Sequence, residues 1–228
     1  MLIAAEGIDG AGKTTLLDRL AADLESRGRR VVRVRRYILQ DVTDVWWRLV
    51  DADMIDQRGT ALLAAADYEL GVRNLIRPAL DDGAVVLADK YVYSHYVYFH
   101  RRGLGLDELR AMFGEVLVPD LVVYLTLPIP VSLERLRGMG GKPDLLEAGL
   151  DHRLGISIGQ AFRRYGLAGA PAEMRESHFV DEHSSDADVF ARVLPEAVTQ
   201  TIDGTLTRDQ IFTAALEWVD ARMERVVG

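Results

Sequence analysis

The chain has 228 residues, of which 49% are hydrophobic and 27% charged, with a formal net charge of −8 and no cysteine. That length and balance suit one large α/β domain with a sizeable core, and they exclude a disordered or fibrous chain. Without cysteine there are no disulfides or thiolate zinc sites, no apolar run reaches the roughly 18 residues of a membrane helix, and the net acidity argues against a general nucleic-acid binder. The chain opens directly on an apolar strand without a leader-like segment, so the expected location is the cytoplasm.

Leu2 to Ala5 reads as a strand, followed by a glycine-rich turn and a helix opening at Lys13. Gly7-Ile8-Asp9-Gly10-Ala11-Gly12-Lys13-Thr14 fits G-x-x-x-x-G-K-[ST] at every specified position. Glycines there let backbone N–H groups turn inward around a polyphosphate, and the following helix points its positive end at the same anion. The pattern predicts ATP held by Gly7 to Thr15, with Lys13 reaching the β- and γ-phosphates and the Thr14 hydroxyl holding Mg2+.

Thr14 to Ser26 has helical spacing at Leu16, Leu17, Leu20 and Leu24, with Gly28 as its C-terminal signal. Arg30 to Arg36 alternates and reads as a second strand, whose basic end (Arg35, Arg36, Tyr37) falls at the edge where open α/β folds bind ligands. A solvated strand end is an equal reading. Asp41 to Asp56 and Gly59 to Leu80 read as helices, the first with adjacent Trp46 and Trp47 and the second distorted by Pro78. The two tryptophans cannot share one helix face, so one is expected in the core and the other against substrate or a partner.

Ala84 to Asp89 is a continuous apolar strand ending in a carboxylate, placed to hold magnesium or orient an attacking hydroxyl. Lys90 to His100 packs five aromatic rings and two histidines into eleven residues, which suggests a pocket wall. His95 and His100 have no metal-like third partner nearby and are expected to be structural. Leu106 to Leu117 reads as a helix and Leu121 to Thr126 as the fourth strand. Val131 to Arg137 is helical and breaks at Gly138 to Gly141, where Arg135, Arg137 and Lys142 form a basic segment suited to a mobile lid. Leu145 to Tyr165 is expected to be helical and Gly166 to Glu173 a loop. Phe179-Val180 reads as a short extended piece, Asp186 to Ala197 as a helix and Val198 to Asp203 as the last strand. A final amphipathic helix runs over Thr207 to Val227, capped by Thr207.

This succession resembles the thymidylate kinase family of nucleoside monophosphate kinases over nearly the whole chain. Glu6 to Thr15 looks like its P-loop, including Asp9, which the resemblance places at the acceptor sugar. Leu62 to Leu80 is similar to its helix ending in I-x-P-A-L. Ala88 to Tyr98 is similar to its D-R-Y-x-x-S-x-x-A-Y segment, keeping Asp89, Tyr91, Ser94 and Tyr98. Thr201 to Thr205, with Gly204, resembles the turn that closes around adenine.

The resemblance implies a three-layer α/β/α P-loop fold with a five-stranded parallel sheet, ATP and Mg2+, a small-molecule phosphoryl acceptor and a homodimer. It implies catalytic roles for Lys13, Asp9, Asp89 and Arg137, with Arg135 engaging the donor and Thr14 and Asp89 the metal. Asp9, Arg35, Arg36, Tyr37, Tyr68, Lys90, Tyr91, Ser94 and Tyr98 would line the acceptor site. One domain is expected, with a lid at about 137–148 and an inserted subregion at about 165–198.

The departures lie on the acceptor side. The arginine after the strand-end Asp is Lys90, a point charge in place of a bidentate fork. The arginine of the A-A-D-R element falls on Tyr68, the glutamine after the pocket tyrosine becomes Phe99, and the lid's D-R-x-E appears as Asp144-Leu145-Leu146-Glu147. Two lost charged contacts to phosphate would cost about 1.5–3 kcal/mol each if nothing replaced them. The expectation is therefore an ATP-dependent kinase acting on a nucleotide or other small acceptor that is not ordinary dTMP. A dTMP kinase in which Arg73 or Arg101 compensates, and an ATP-binding protein without catalysis, are the alternatives.

Overall fold

The computed structural model describes the chain except residues 36, 141–142, 144–146, 150, 152–154, 156, 166–169 and 228, and the side chains of 162 and 225–227. Five strands, β1 (Leu2–Glu6), β2 (Val31–Arg35), β3 (Val85–Asp89), β4 (Leu121–Thr126) and β5 (Thr199–Asp203), form one parallel sheet in the order β2-β3-β1-β4-β5. The central strands are apolar on both faces because both are covered. All of β1 and the first four residues of β3 are buried, as helix-covered parallel strands require.

Helix α1 (Lys13–Ser26) buries Leu16, Leu17, Leu20 and Leu24 against one face, together with α7 (Ile129–Gly138) and the long C-terminal α11 (Arg208–Val227). Gly28 follows α1 at φ +74°, the left-handed residue that ends the helix. Thr207 caps α11 through a box with Gln210: Thr207 N–H donates to Gln210 Oε1 (3.0 Å), and Gln210 N–H to the Thr207 hydroxyl (3.3 Å). The opposite face is covered by α3 (Gln57–Gly71), α4 (Arg77–Asp81), α5 (Val92–Arg101) and α6 (Leu106–Phe113). A π-helical turn, Val72–Ile76, joins α3 to α4 ahead of Pro78. Helix α2 (Gln40–Asp51) packs Trp46 and Val50 with Ile158 of α8 (Ile158–Tyr165).

Several boundaries differ from the sequence reading. The proposed long helix at 59–80 is interrupted by the π turn, and the helix at Leu106 stops at Phe113. Phe179-Val180 is not extended: both lie inside α9 (Ala172–His183), where Phe179 is fully buried. Helix α10 follows over Asp186–Val193, and a 3-10 turn at Glu196–Val198 leads into β5. Trp46 is buried, its indole N–H donating to the Thr60 hydroxyl (3.3 Å), and Trp47 packs edge-on against it. Much of the proposed lid, including Lys142 and 144–146, lies outside the described residues, as does the predicted loop at 166–169.

Candidate active site

The carboxyl edge of β1 opens into the glycine-rich turn. Gly7 has φ +137°, and a Cβ there would collide with the Leu125 carbonyl oxygen, so only glycine lets the turn lie against β4. Lys13, buried at the start of α1, donates to the carbonyls of Gly7 and Ile8 (2.8 Å each). Its ammonium therefore sits inside the glycine-rich turn. Burial, and then the Lys90 charge, pull it down to about 8. Arg135 donates to the Gly10 carbonyl (3.2 Å) and the Gly204 carbonyl (2.8 Å), tying the turn to the end of β5. Gly204 is needed there, because a Cβ would meet the Thr126 carbonyl oxygen at 2.7 Å. Thr205, exposed beside it, donates from N–H and hydroxyl to Asp203 (2.8 Å each).

At the tip of β3, Asp89 Oδ2 accepts from the Thr14 hydroxyl at 2.6 Å. Two hard oxygen donors suit magnesium, which takes one or two protein oxygens and completes its shell with water and phosphate. Among the described residues no group of three or more His, Cys, Asp or Glu offers an all-protein cage. The next residue, Lys90, adopts φ +64°, a left-handed conformation that costs a non-glycine residue about 1–2 kcal/mol. That turn aims Asp89 at Thr14 while Lys90 Nζ pairs with Asp9 Oδ1 at 2.7 Å. Lys13 Nζ is 3.9 Å from the same oxygen. Burial pushes Asp9 upward, but Lys90 and Lys13 outweigh it and hold the carboxyl far below its usual range.

Glu6 is a functional candidate that the sequence reading did not single out. Fully buried at the end of β1, it accepts from Tyr91 N–H (2.9 Å) and from the Ser94 hydroxyl. Burial drives its carboxyl up to about 7 despite those bonds and the nearby lysines. A buried charged residue closing an apolar strand, one position before the P-loop, is the signal that could have found it.

A cavity of about 210 Å3 lies between the P-loop and α5. Gly7, Ile8 and Asp9 form one wall, and Lys90, Ser94, Tyr98 and Arg101 line the side made by α5. Positions 94, 98 and 101 recur at helical spacing, so one face of α5 is turned to the cavity. Glu147, His183 and Asp186 close the far end. The proposed insertion thus contributes to the wall. There Arg101 Nη1 lies 2.9 Å from Asp186 Oδ2 and its Nε 3.4 Å from Glu182, while His183 Nδ1 lies 2.6 Å from Asp186. Behind them Arg102 is fully buried against Glu182 (2.8 Å) and Asp151 (3.5 Å), its guanidinium 3.8 Å over the Tyr98 ring.

Other sequence candidates fall elsewhere. Tyr68 and Tyr91 do not line this cavity. Their hydroxyls face each other at 3.1 Å in the core, Tyr68 accepting from Leu117 N–H and Tyr91 donating to the Leu117 carbonyl. The Tyr68 ring fills the space between α3 and α6, against Phe113, because an apolar ring with one satisfied hydroxyl is stable there. Tyr37 stacks on Trp46 and meets His95 edge-on, in a second, nearly filled slot of about 10 Å3 bordered by Thr60 and Asp67. Arg35 is exposed at the end of β2, Arg36 lies outside the described residues, and Arg73 is exposed on the π turn. Arg137 is paired outward with Glu176 (2.6 Å). His100 Nδ1 lies 2.9 Å from the Leu104 carbonyl oxygen, a local contact at the end of α5.

Among the described residues no helix is long and apolar enough to cross a membrane. A sequence model of the family described as thymidylate kinase matches residues 5–147. A thymidylate kinase of Xanthomonas oryzae pv. oryzae is 33% identical over 97% of this chain and 94% of its own length. A probable thymidylate kinase of Pyrococcus abyssi is 31% identical over 77% of this chain and 91% of its own. Another, from Thermococcus kodakarensis, is 38% identical over 60% of this chain and 71% of its own.

Proposed function

The chain belongs to the thymidylate kinase family of phosphotransferases, and on that premise we propose that it transfers the γ-phosphoryl group of ATP to dTMP, forming dTDP. What supports this reading is the cavity that the P-loop residues Gly7 to Asp9 share with Lys90, which leaves room for an acceptor phosphate beside the turn proposed to hold the donor. Gly7 to Thr15 bind the donor phosphates, and Lys13 leaves the Gly7 and Ile8 carbonyls for the β- and γ-oxygens. Arg135 keeps the P-loop and the Gly204–Thr205 turn in register around the nucleotide. Thr14 and Asp89 hold magnesium, which when bound neutralises charge on the phosphates. Lys90 orients the acceptor phosphate, whose oxygen attacks the γ-phosphorus as the bond to ADP breaks. Asp9 holds Lys90 and Lys13 in place before substrate arrives.

A second reading, an acceptor other than dTMP, draws support from two features of the site. Tyr68 is committed to the core, and Lys90 stands where the family carries an arginine. Both readings meet in one assay: ADP release with ATP and magnesium against dTMP, other nucleoside monophosphates and small phosphorylated acids. The proposal expects dTMP-dependent ADP release with equimolar dTDP. Preference for another acceptor by tenfold or more in kcat/KM supports the second reading instead.

A further inference from the structure

Glu6 reaches from the last residue of β1 to the first turn of α5, and the contacts made there bracket Lys90. Lys90 N–H donates to the Ala5 carbonyl (3.1 Å), and the next amide, Tyr91 N–H, donates to the Glu6 carboxyl (2.9 Å). Two consecutive amides are thus fixed to two consecutive residues of β1, one through the backbone and one through a side chain. Lys90 sits between them at φ +64°, a conformation that a lysine keeps only where its surroundings impose it. Held this way, its Nζ meets Asp9 in the P-loop at 2.7 Å.

Helix α5 starts at Val92, with Tyr91 as its extended N-cap residue, and the Tyr91 side chain makes no capping bond. Its hydroxyl is engaged elsewhere, with Tyr68 and the Leu117 carbonyl. Glu6 takes the capping part from a neighbouring strand. It accepts from Tyr91 N–H and from the Ser94 hydroxyl, three residues further along the same turn, and Ser94 lines the cavity. Asp89, by contrast, is set by the ladder between β1 and β3, where it pairs with Ala5, rather than by the Glu6 carboxyl.

We propose that Glu6 is a positioning residue for the acceptor: its carboxyl clamps the first turn of α5 to the end of β1 and so holds Lys90 in the left-handed turn that points its ammonium at the P-loop side of the cavity. The inference rests on the reading of Lys90 as the cation that orients the acceptor phosphate. A side chain one methylene shorter does not span both contacts. Lys90 then relaxes out of its strained turn and carries Nζ away from Asp9. A misplacement of about 1 Å at a reacting group costs on the order of a hundredfold in rate.

The test compares two variants of the full chain. Glu6→Asp keeps the carboxyl and loses its reach, whereas Glu6→Gln keeps the reach and both hydrogen bonds. Glu6→Asp is expected to lower kcat/KM for dTMP at least tenfold while the Kd for ATP with magnesium, read by titration calorimetry, stays within twofold of wild type. Glu6→Gln should recover most of that loss. A crystal structure of Glu6→Asp should show Lys90 outside the left-handed region and its Nζ more than about 4 Å from Asp9, beyond ion-pair range. Glu6→Met, which also removes both acceptors, takes the place of Glu6→Asp if that variant fails to fold. Equal losses in the Asp and Gln variants, an equal loss of ATP affinity, or a Lys90 unmoved in the variant crystal overturns the inference. No turnover of dTMP by wild type overturns the acceptor reading alone, and the position of Lys90 in the variant crystal then decides whether Glu6 holds it.

Discussion

Replacing Glu6 by glutamine isolates the effect of burying a carboxylate one residue from the P-loop. Glu6 is fully buried and its carboxyl is raised from the ordinary 4.5 to about 7, chiefly by desolvation. The native state therefore holds a proton that the unfolded chain releases near pH 4.5. Where the native state binds more protons than the unfolded one, stability falls as pH rises. Glu6 thus contributes fully below about pH 4.5, and its contribution is lost progressively up to about pH 7. The displacement corresponds to about 3 kcal/mol, a large part of a typical domain's stability.

A glutamine at this position has no charge to desolvate. Its side-chain carbonyl still accepts from Tyr91 N–H, and its amide can donate to the Ser94 hydroxyl, so the fold loses little else. Urea unfolding of both proteins at half-unit steps from pH 4.5 to 7.5 should show the wild type weakening relative to Glu6→Gln. The gap should open by about 3 kcal/mol across that window. Parallel curves would refute the reasoning, because they would mean that Glu6 ionises as readily in the fold as outside it.

Three further substitutions probe other parts of the site. Gly7→Ala should lower the melting temperature sharply, by about 2 kcal/mol or more of stability, since its Cβ would collide with the Leu125 carbonyl at a left-handed φ; calorimetry decides it, and an unchanged melting temperature contradicts the P-loop geometry. Arg102→Met removes a buried cation facing Asp151 and Glu182 and should cost about 3–5 kcal/mol in urea unfolding. Asp89→Asn should raise the magnesium concentration for half-maximal activity by roughly 10- to 100-fold while leaving the circular-dichroism spectrum unchanged. An unaltered magnesium dependence would remove Asp89 from the metal site.

The geometry of the half proposed for the donor is legible in the sequence because it is local. The P-loop, the strand before it and the helix after it are contiguous, and Asp89 announces itself as a charge at the tip of an apolar strand. The acceptor half was less so, because it depends on which elements meet. Tyr68 and Tyr91 were placed by motif position in the pocket, yet their hydroxyls satisfy each other and Leu117 in the core. Arg101 stood only as one candidate replacement cation. It shares a helical face with Ser94 and Tyr98, but its two carboxylate partners lie more than eighty residues downstream. No local pattern reports such a contact. Phe179-Val180 shows the opposite error: two apolar residues in a polar stretch looked extended, but tertiary packing of Phe179 against the core holds them in a helix.

A crystal structure of the protein with dTMP and a non-hydrolysable ATP analogue tests most directly whether the cavity between the P-loop and α5 is the acceptor site. The account predicts the dTMP phosphate within hydrogen-bond distance of Lys90 Nζ, with the nucleoside inside the cavity lined by Asp9, Ser94 and Tyr98. Binding of dTMP outside this cavity, or an empty cavity at saturating dTMP with the ATP analogue in place, would contradict it.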